Sequence, residues 1–145
     1  MIYKKYDIVI VEDNENDAEL IVRTLRKNHI VKNIIILEYG EKAFDYFFCN
    51  GQNSGRDKSG VPKVVFLDIK LPKVTGLDVL EQLKLNEYTK GIPIVMLTSS
   101  KHDSDIKAAK DLGANSYVVK PVDCKQFEET ISQLGLYWLG TNECL

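Results

Sequence analysis

Asp68 closes the apolar run Val64-Val65-Phe66-Leu67, and three other segments end in residues that could serve it: Glu12-Asp13, Thr98-Ser99 and Lys120-Pro121. Three carboxylates, a hydroxyl and a lysine, each at the end of its own strand-like run, can hold a hard cation and receive a phosphoryl group. Glu12, Asp13 and Asp68, if brought together, would repel one another and raise each other's pKa. A divalent cation removes that conflict, and magnesium suits it, because it takes oxygen ligands from one or two carboxylates plus phosphate and keeps several waters. Aspartate can form an acyl phosphate, which makes Asp68 the candidate nucleophile. Phosphoryl transfer needs in-line positioning and charge neutralisation more than acid–base work. Lys120 would take one phosphoryl oxygen, and the Thr98 hydroxyl with nearby backbone N–H groups the others. Ser99 is small and leaves access for a phosphodonor. Singly, each residue has a plainer reading: a helix cap for Asp13, a solvated side chain for Glu12 or Lys120. The combination singles them out.

The elements that must position these residues follow from periodicity. Tyr6 to Val11, Ile34 to Leu37, Val64 to Leu67, Ile92 to Leu97 and Tyr117 to Val119 read as five strands. Five amphipathic stretches alternate with them. The first carries Ala18, Ile21, Val22 and Leu25 on one face, with Asn14 or Asn16 as N-cap. The second spans Glu41 to Cys49 and buries Ala43, Phe44 and Phe47. The third spans Gly76 to Asn86, with Leu77, Leu80 and Leu83 inward. The fourth runs from Asp103 to Leu112 and ends at Gly113. The fifth starts near Asp123 and carries Phe127, Ile131, Leu134 and Trp138.

Strands alternating with helices imply parallel pairing and right-handed crossovers. The expected fold is α/β: a doubly wound, flavodoxin-like, five-stranded parallel sheet of order 2-1-3-4-5 with five helices. In such a sheet the strand C-termini face one crevice. The glycine-rich segment Asn50 to Gly60 reads as a flexible surface loop.

At 145 residues the chain is one domain long, with its core over about 6–139 and no output domain. A formal net charge of -2 gives no basic footprint for nucleic acid or an anionic membrane. No apolar run approaches the roughly 18–20 residues needed to cross a bilayer, and residues 1–6 lack a secretion signal. Cys49, Cys124 and Cys144, odd in number and widely spaced, fit reduced thiols, and a cytoplasmic location is expected. His29 and His102 have no partner at metal spacing.

The ordered set Glu12-Asp13, Asp68, Thr98-Ser99, Tyr117 and Lys120-Pro121, with the loop Asp68-Ile69-Lys70-Leu71-Pro72-Lys73-Val74-Thr75-Gly76-Leu77, resembles the receiver domain of two-component response regulators. The resemblance spans essentially the whole chain. It implies phosphorylation of Asp68 by a sensor histidine kinase. It also implies Mg2+ ligation by Asp13, Asp68 and the Lys70 backbone carbonyl, with Glu12 acting through water. Thr98 and Tyr117 would be the switch pair, and Lys120 the phosphate-sensing cation. Lys70 and Ser100 would border the attacking water and tune phosphate lifetime. The protein would be a phosphoacceptor that catalyses its own phosphorylation and dephosphorylation, not an enzyme with an outside substrate. The long 50–60 loop and the ending Leu136-Tyr137-Trp138-Leu139 look like stand-alone, chemotaxis-regulator-like receivers paired with phytochrome-type or hybrid kinases.

Lys120-Pro121 is a candidate cis peptide, since cis costs an X–Pro bond only about 0.5–1 kcal/mol. A trans proline opening the last helix is the alternative. The phosphoryl group adds roughly -1.5 to -2 charge. Thr98 could then swing inward and Tyr117 fill the vacated space, biasing a two-state equilibrium read out at the face of the fourth helix, fifth strand and fifth helix. Output would pass through a protein partner, a homodimer at that face, or use as a phosphate relay or sink, without nucleic acid or membrane. The ending at Leu136 to Leu139 is assigned to the core, with a dimer patch as alternative. A haloacid-dehalogenase-type phosphatase would need a second aspartate where Lys70 stands. A pseudo-receiver would lack residues that this chain has.

Overall fold

Every position of β1 (Ile8–Val11), β3 (Val64–Asp68) and β4 (Ile94–Thr98) is buried in the computed structural model. Continuous rather than alternating burial is the mark of strands covered by helices on both faces. The structure describes residues 5–28, 30, 33–99 and 104–136. The edge strands β2 (Ile34–Leu37) and β5 (Ser116–Val119) are only partly buried. All pairings are parallel and the sheet order is β2-β1-β3-β4-β5, as expected.

One sheet face packs Val9, Val11, Val65, Leu67, Ile94 and Met96 against α2 (Gly40–Phe47), α3 (Gly76–Leu85) and α4 (Ser104–Asp111). The other packs Ile8, Ile10, Phe66, Leu97 and Val118 against α1 (Glu15–Lys27) and α5 (Cys124–Leu134). Phe66 and Phe127 meet there with ring centroids 5.9 Å apart.

Helix ends follow local chemistry. Asn14 caps α1 by accepting the Asp17 N–H, and Thr75 and Asp78 form a reciprocal capping box on α3. Asp123 caps α5 through the Gln126 N–H, and Gly135 ends it in the left-handed conformation. Leu77 and Phe44 are only half-buried, whereas Val79 and Tyr46, not among the expected inward residues, are fully inside. Trp138 and most of the 136–139 ending lie outside the described residues, as do His29, His102 and Ser100.

The 50–60 segment, expected as a surface loop, holds a 3-10 turn at Gly51–Asn53 and an anchoring arginine. Arg56 donates to the carbonyls of Tyr46 and Gly60, and its guanidinium lies 4.0 Å from the Tyr46 ring centroid. Cys49 is a free, buried thiol, but Cys124 is disulfide-bonded, which wide spacing along the chain did not foretell.

Candidate functional site

Register brings the strand ends together. Val11 lies beside Leu67, so Glu12, the next residue, is level with Asp68. Asp68 lies beside Leu97, which places Thr98 one step beyond it. Thr98 lies beside Val119, so Lys120 follows at the same end. Backbone bonds hold the ends in place: Glu12 N–H to the Leu37 carbonyl at 3.0 Å, Ile69 N–H to Leu97 at 3.0 Å, and Lys120 N–H to Thr98 at 2.7 Å.

The carboxylate oxygens of Glu12, Asp13 and Asp68 converge within 4.8 Å of one another. Lys120 Nζ lies 2.8 Å from Glu12 Oε1, 3.2 Å from Asp17 Oδ2 and 3.4 Å from Asp68 Oδ2. The Glu12 side chain is fully buried, and those of Asp68 and Lys120 are 6% and 15% exposed. The remaining oxygens are also engaged: Glu12 Oε2 accepts the Asn14 N–H at 3.1 Å, and Asp68 Oδ1 accepts the Lys70 N–H at 3.2 Å. Asp13 is exposed at the mouth.

Burial pushes the Glu12 carboxyl up to about 7, and the neighbouring Asp68 adds to that rise. The hydrogen bonds from Lys120 and the Asn14 N–H oppose it. Burial works to lower the Lys120 ammonium, but Glu12, Asp68 and Asp17 outweigh it and raise its pKa. Three carboxylates around one ammonium, with Asp13 beside Glu12 and Asp68, leave an excess of negative charge in a partly dry crevice. That donor set fits a hard divalent cation among the Glu12, Asp13 and Asp68 oxygens.

Thr98 is 2% exposed and sits on the sheet face covered by α4. Tyr117 packs on that same face, half-buried, with Lys110 Nζ 5.4 Å from its ring centroid. The Lys120–Pro121 peptide bond is cis. Lys70 is exposed beside the mouth. Asp17 is the member that sequence reasoning missed. It belongs to the first turn of α1, four residues after Asp13, and only the reach of Lys120 brings it into the site.

Known proteins resemble this chain over most of its length. The probable methanogenesis regulatory protein FilR2 of Methanothrix harundinacea is 38% identical over 135 residues, covering 93% of this chain and 84% of its own length. The solved bacteriophytochrome response regulator RtBRR is 41% identical with a TM-score of 0.84, covering 98% of this chain and 85% of that one. A Mn2+-bound form of response regulator Rcp1 is 30% identical with a TM-score of 0.75, covering 97% and 99%. Residues 8–132 match the response regulator receiver domain. No helix among the described residues is long and apolar enough to cross a membrane. With the sheet order, the acidic cluster and the lysine already in place, that match identifies the chain as a member of the response regulator receiver family of two-component signalling.

Proposed function

We propose that Asp68 accepts a phosphoryl group from the phosphohistidine of a sensor histidine kinase, of phytochrome type or a hybrid kinase. The observation that carries this reading is the convergence of the Glu12, Asp13 and Asp68 oxygens within 4.8 Å, with Lys120 Nζ 3.4 Å from Asp68 Oδ2. An Asp68 oxygen attacks phosphorus in line, the P–N bond to histidine breaks as the P–O bond forms, and the imidazole leaves. Water later attacks the acyl phosphate, the bond between phosphorus and the Asp68 oxygen breaks, and inorganic phosphate leaves as the carboxylate is restored. The likeness to a Mn2+-bound receiver supports a divalent cation at this site.

Asp13 and Asp68, with the Lys70 backbone carbonyl, would hold Mg2+, and Glu12 would contact it through water. Bound there, the ion would supply positive charge against the phosphoryl oxygens. Lys120 already points its ammonium at Asp68 and takes a second oxygen as charge develops. The Thr98 hydroxyl takes a third, and exposed Ser99 leaves the mouth open. With Thr98 drawn inward, Tyr117 follows on the same sheet face and alters the surface of α4, β5 and α5, where a downstream protein or a second copy binds.

Intact-mass measurement after incubation with acetyl phosphate tests the reading. One phosphoryl adduct is expected with Mg2+, none with EDTA, and none in Asp68→Asn. An adduct that persists in folded Asp68→Asn would contradict it.

A further inference from the structure

Phe44 and Phe48 stack along the outer side of α2, with ring centroids 5.9 Å apart, and both are half-buried. Together with Val74, from the loop after Asp68, they line a groove between α2 and α3 of about 430 Å³. Asp78 and Glu81 stand exposed on its α3 wall, and among the described residues no basic side chain lines it. That volume lies within the range of about 300–1,000 Å³ typical of pockets that take a ligand or a few side chains. An apolar floor under a wall of one charge sign selects for an apolar stem with a cationic head. An anionic segment is repelled, and a second copy of this chain would bring the same carboxylates to the groove.

We propose that the α2–α3 groove docks a helical segment of a partner protein whose apolar side chains are flanked by lysine or arginine. Helix-in-groove recognition by spaced apolar anchors is a general mode. Here Phe44, Phe48 and Val74 would receive the anchors, and Asp78 and Glu81 would set their flanking charge.

The groove is mechanically tied to the phosphoacceptor. A β-carbon on Gly40, the first residue of α2, would lie 2.5 Å from the Val74 carbonyl oxygen. One on Gly76, the first residue of α3, would lie 1.9 Å from the Asp68 carbonyl oxygen. The 69–75 segment is therefore held tightly between the starts of both helices that wall the groove. Lys73, just before Val74, already occupies the left-handed region at φ 62°. Any shift of this loop on phosphorylation reaches Val74, and linkage makes the effect reciprocal: occupancy of the groove biases the phosphoacceptor in turn. This coupling rests on the Asp68 reading, whereas the docking itself does not.

The test is a titration of the 15N-labelled full chain with a synthetic helical peptide of leucine and lysine, followed by amide NMR. Shifts are expected at residues 44–50, 74 and 78–82. Glu81→Lys, exposed and remote from the acidic pocket, should keep the Asp68 adduct yet weaken binding about tenfold. Phe44→Ala, checked for native folding in the same spectra, should weaken it comparably. A leucine–glutamate peptide should not bind. Shifts centred elsewhere, such as on the acidic residues 12–38, would overturn the proposal, as would unchanged affinity in Glu81→Lys. In a sample shown by mass to be fully phosphorylated, the affinity should change by about threefold or more. Equal affinity there would overturn the coupling, while failure to form the adduct would remove the Asp68 reading and leave the docking result standing.

Discussion

Glu12 is a fully buried carboxyl pressed between Lys120 and Asp68, and its proton affinity decides how the pocket responds to pH. Its folded pKa of about 7 lies above the ordinary 4.5. The folded protein therefore holds this proton more tightly than the unfolded chain does. The resulting stability is fully present below pH 4.5 and is lost as pH rises through 7. Metal-free protein should show a higher urea midpoint at pH 5.5 than at pH 8, with an unfolding free energy larger by up to about 1.4 kcal/mol for each pH unit between the two pKa values. Mg2+ displaces the same proton, so its affinity should rise from pH 6 to pH 8, and its addition at pH 8 should recover the midpoint. An unchanged midpoint with EDTA across that range would refute the assignment.

Lys120 makes the converse case. Lys120→Met removes the counterion of a buried carboxylate, a change that costs about 3–5 kcal/mol for a fully buried pair. Partial exposure of the ammonium should bring this down to about 2–3 kcal/mol at pH 8, and protonation of Glu12 should shrink it further at pH 6. Chemical denaturation at the two pH values gives the comparison. Glu12, Asp13, Asp68 and Lys120 were legible in the sequence because each directly follows or ends an apolar run, and strand ends share one side of a parallel sheet. Asp17 was not, because it sits within a helix and no strand pattern marks it.

At the level of elements, the start of α3 is the tightest junction near the site. Gly76→Ala would drive a β-carbon into the Asp68 carbonyl oxygen, 1.9 Å away, so either the loop or the helix must shift. Overpacking of this kind typically costs about 1–3 kcal/mol, and the upper end is expected here because the obstacle is backbone. Thermal unfolding would show it, together with slower adduct formation as Asp68 is displaced; wild-type behaviour in both would mean the junction has slack. The glycine was visible in the sequence as a helix start, but its packing role was not, since contact with Asp68 depends on how the 69–75 loop folds back.

Element types and order were readable because β1 is wholly apolar, β3 and β4 are apolar up to their final residues Asp68 and Thr98, and helical spacing separates them. Boundaries moved where the ladder imposed its own terms. The fourth strand begins at Ile94 rather than Ile92, since Pro93 lacks a donor and contributes only its carbonyl to the Val65 N–H. Composition alone made 50–60 look flexible, because a polar, glycine-rich segment gives no hint that Arg56 will stack on a buried tyrosine.

Across the whole molecule, the sheet joins chemistry at one end to a surface on one side. Thr98 lies at the end of β4 beside the pocket, and Tyr117 lies on the same sheet face under α4. Thr98→Ala should still form the Asp68 adduct, but phosphorylation should no longer shift the amide resonances of α4, β5 and α5. Undiminished shifts at that face would show that the switch runs by another route. Register is what the sequence could not supply: strand order followed from topology rules, but the Val11–Leu67 and Thr98–Val119 pairings that align the site depend on packing against all five helices.

The most direct measurement is to trap the phosphorylated protein with borohydride, which reduces an aspartyl phosphate to homoserine, and to locate the modified residue by tandem mass spectrometry of its peptides. Homoserine at position 68, dependent on Mg2+, is the predicted result. Modification at Asp13 or another carboxylate, or none in protein that carries the phosphoryl adduct, would contradict Asp68 as the acceptor.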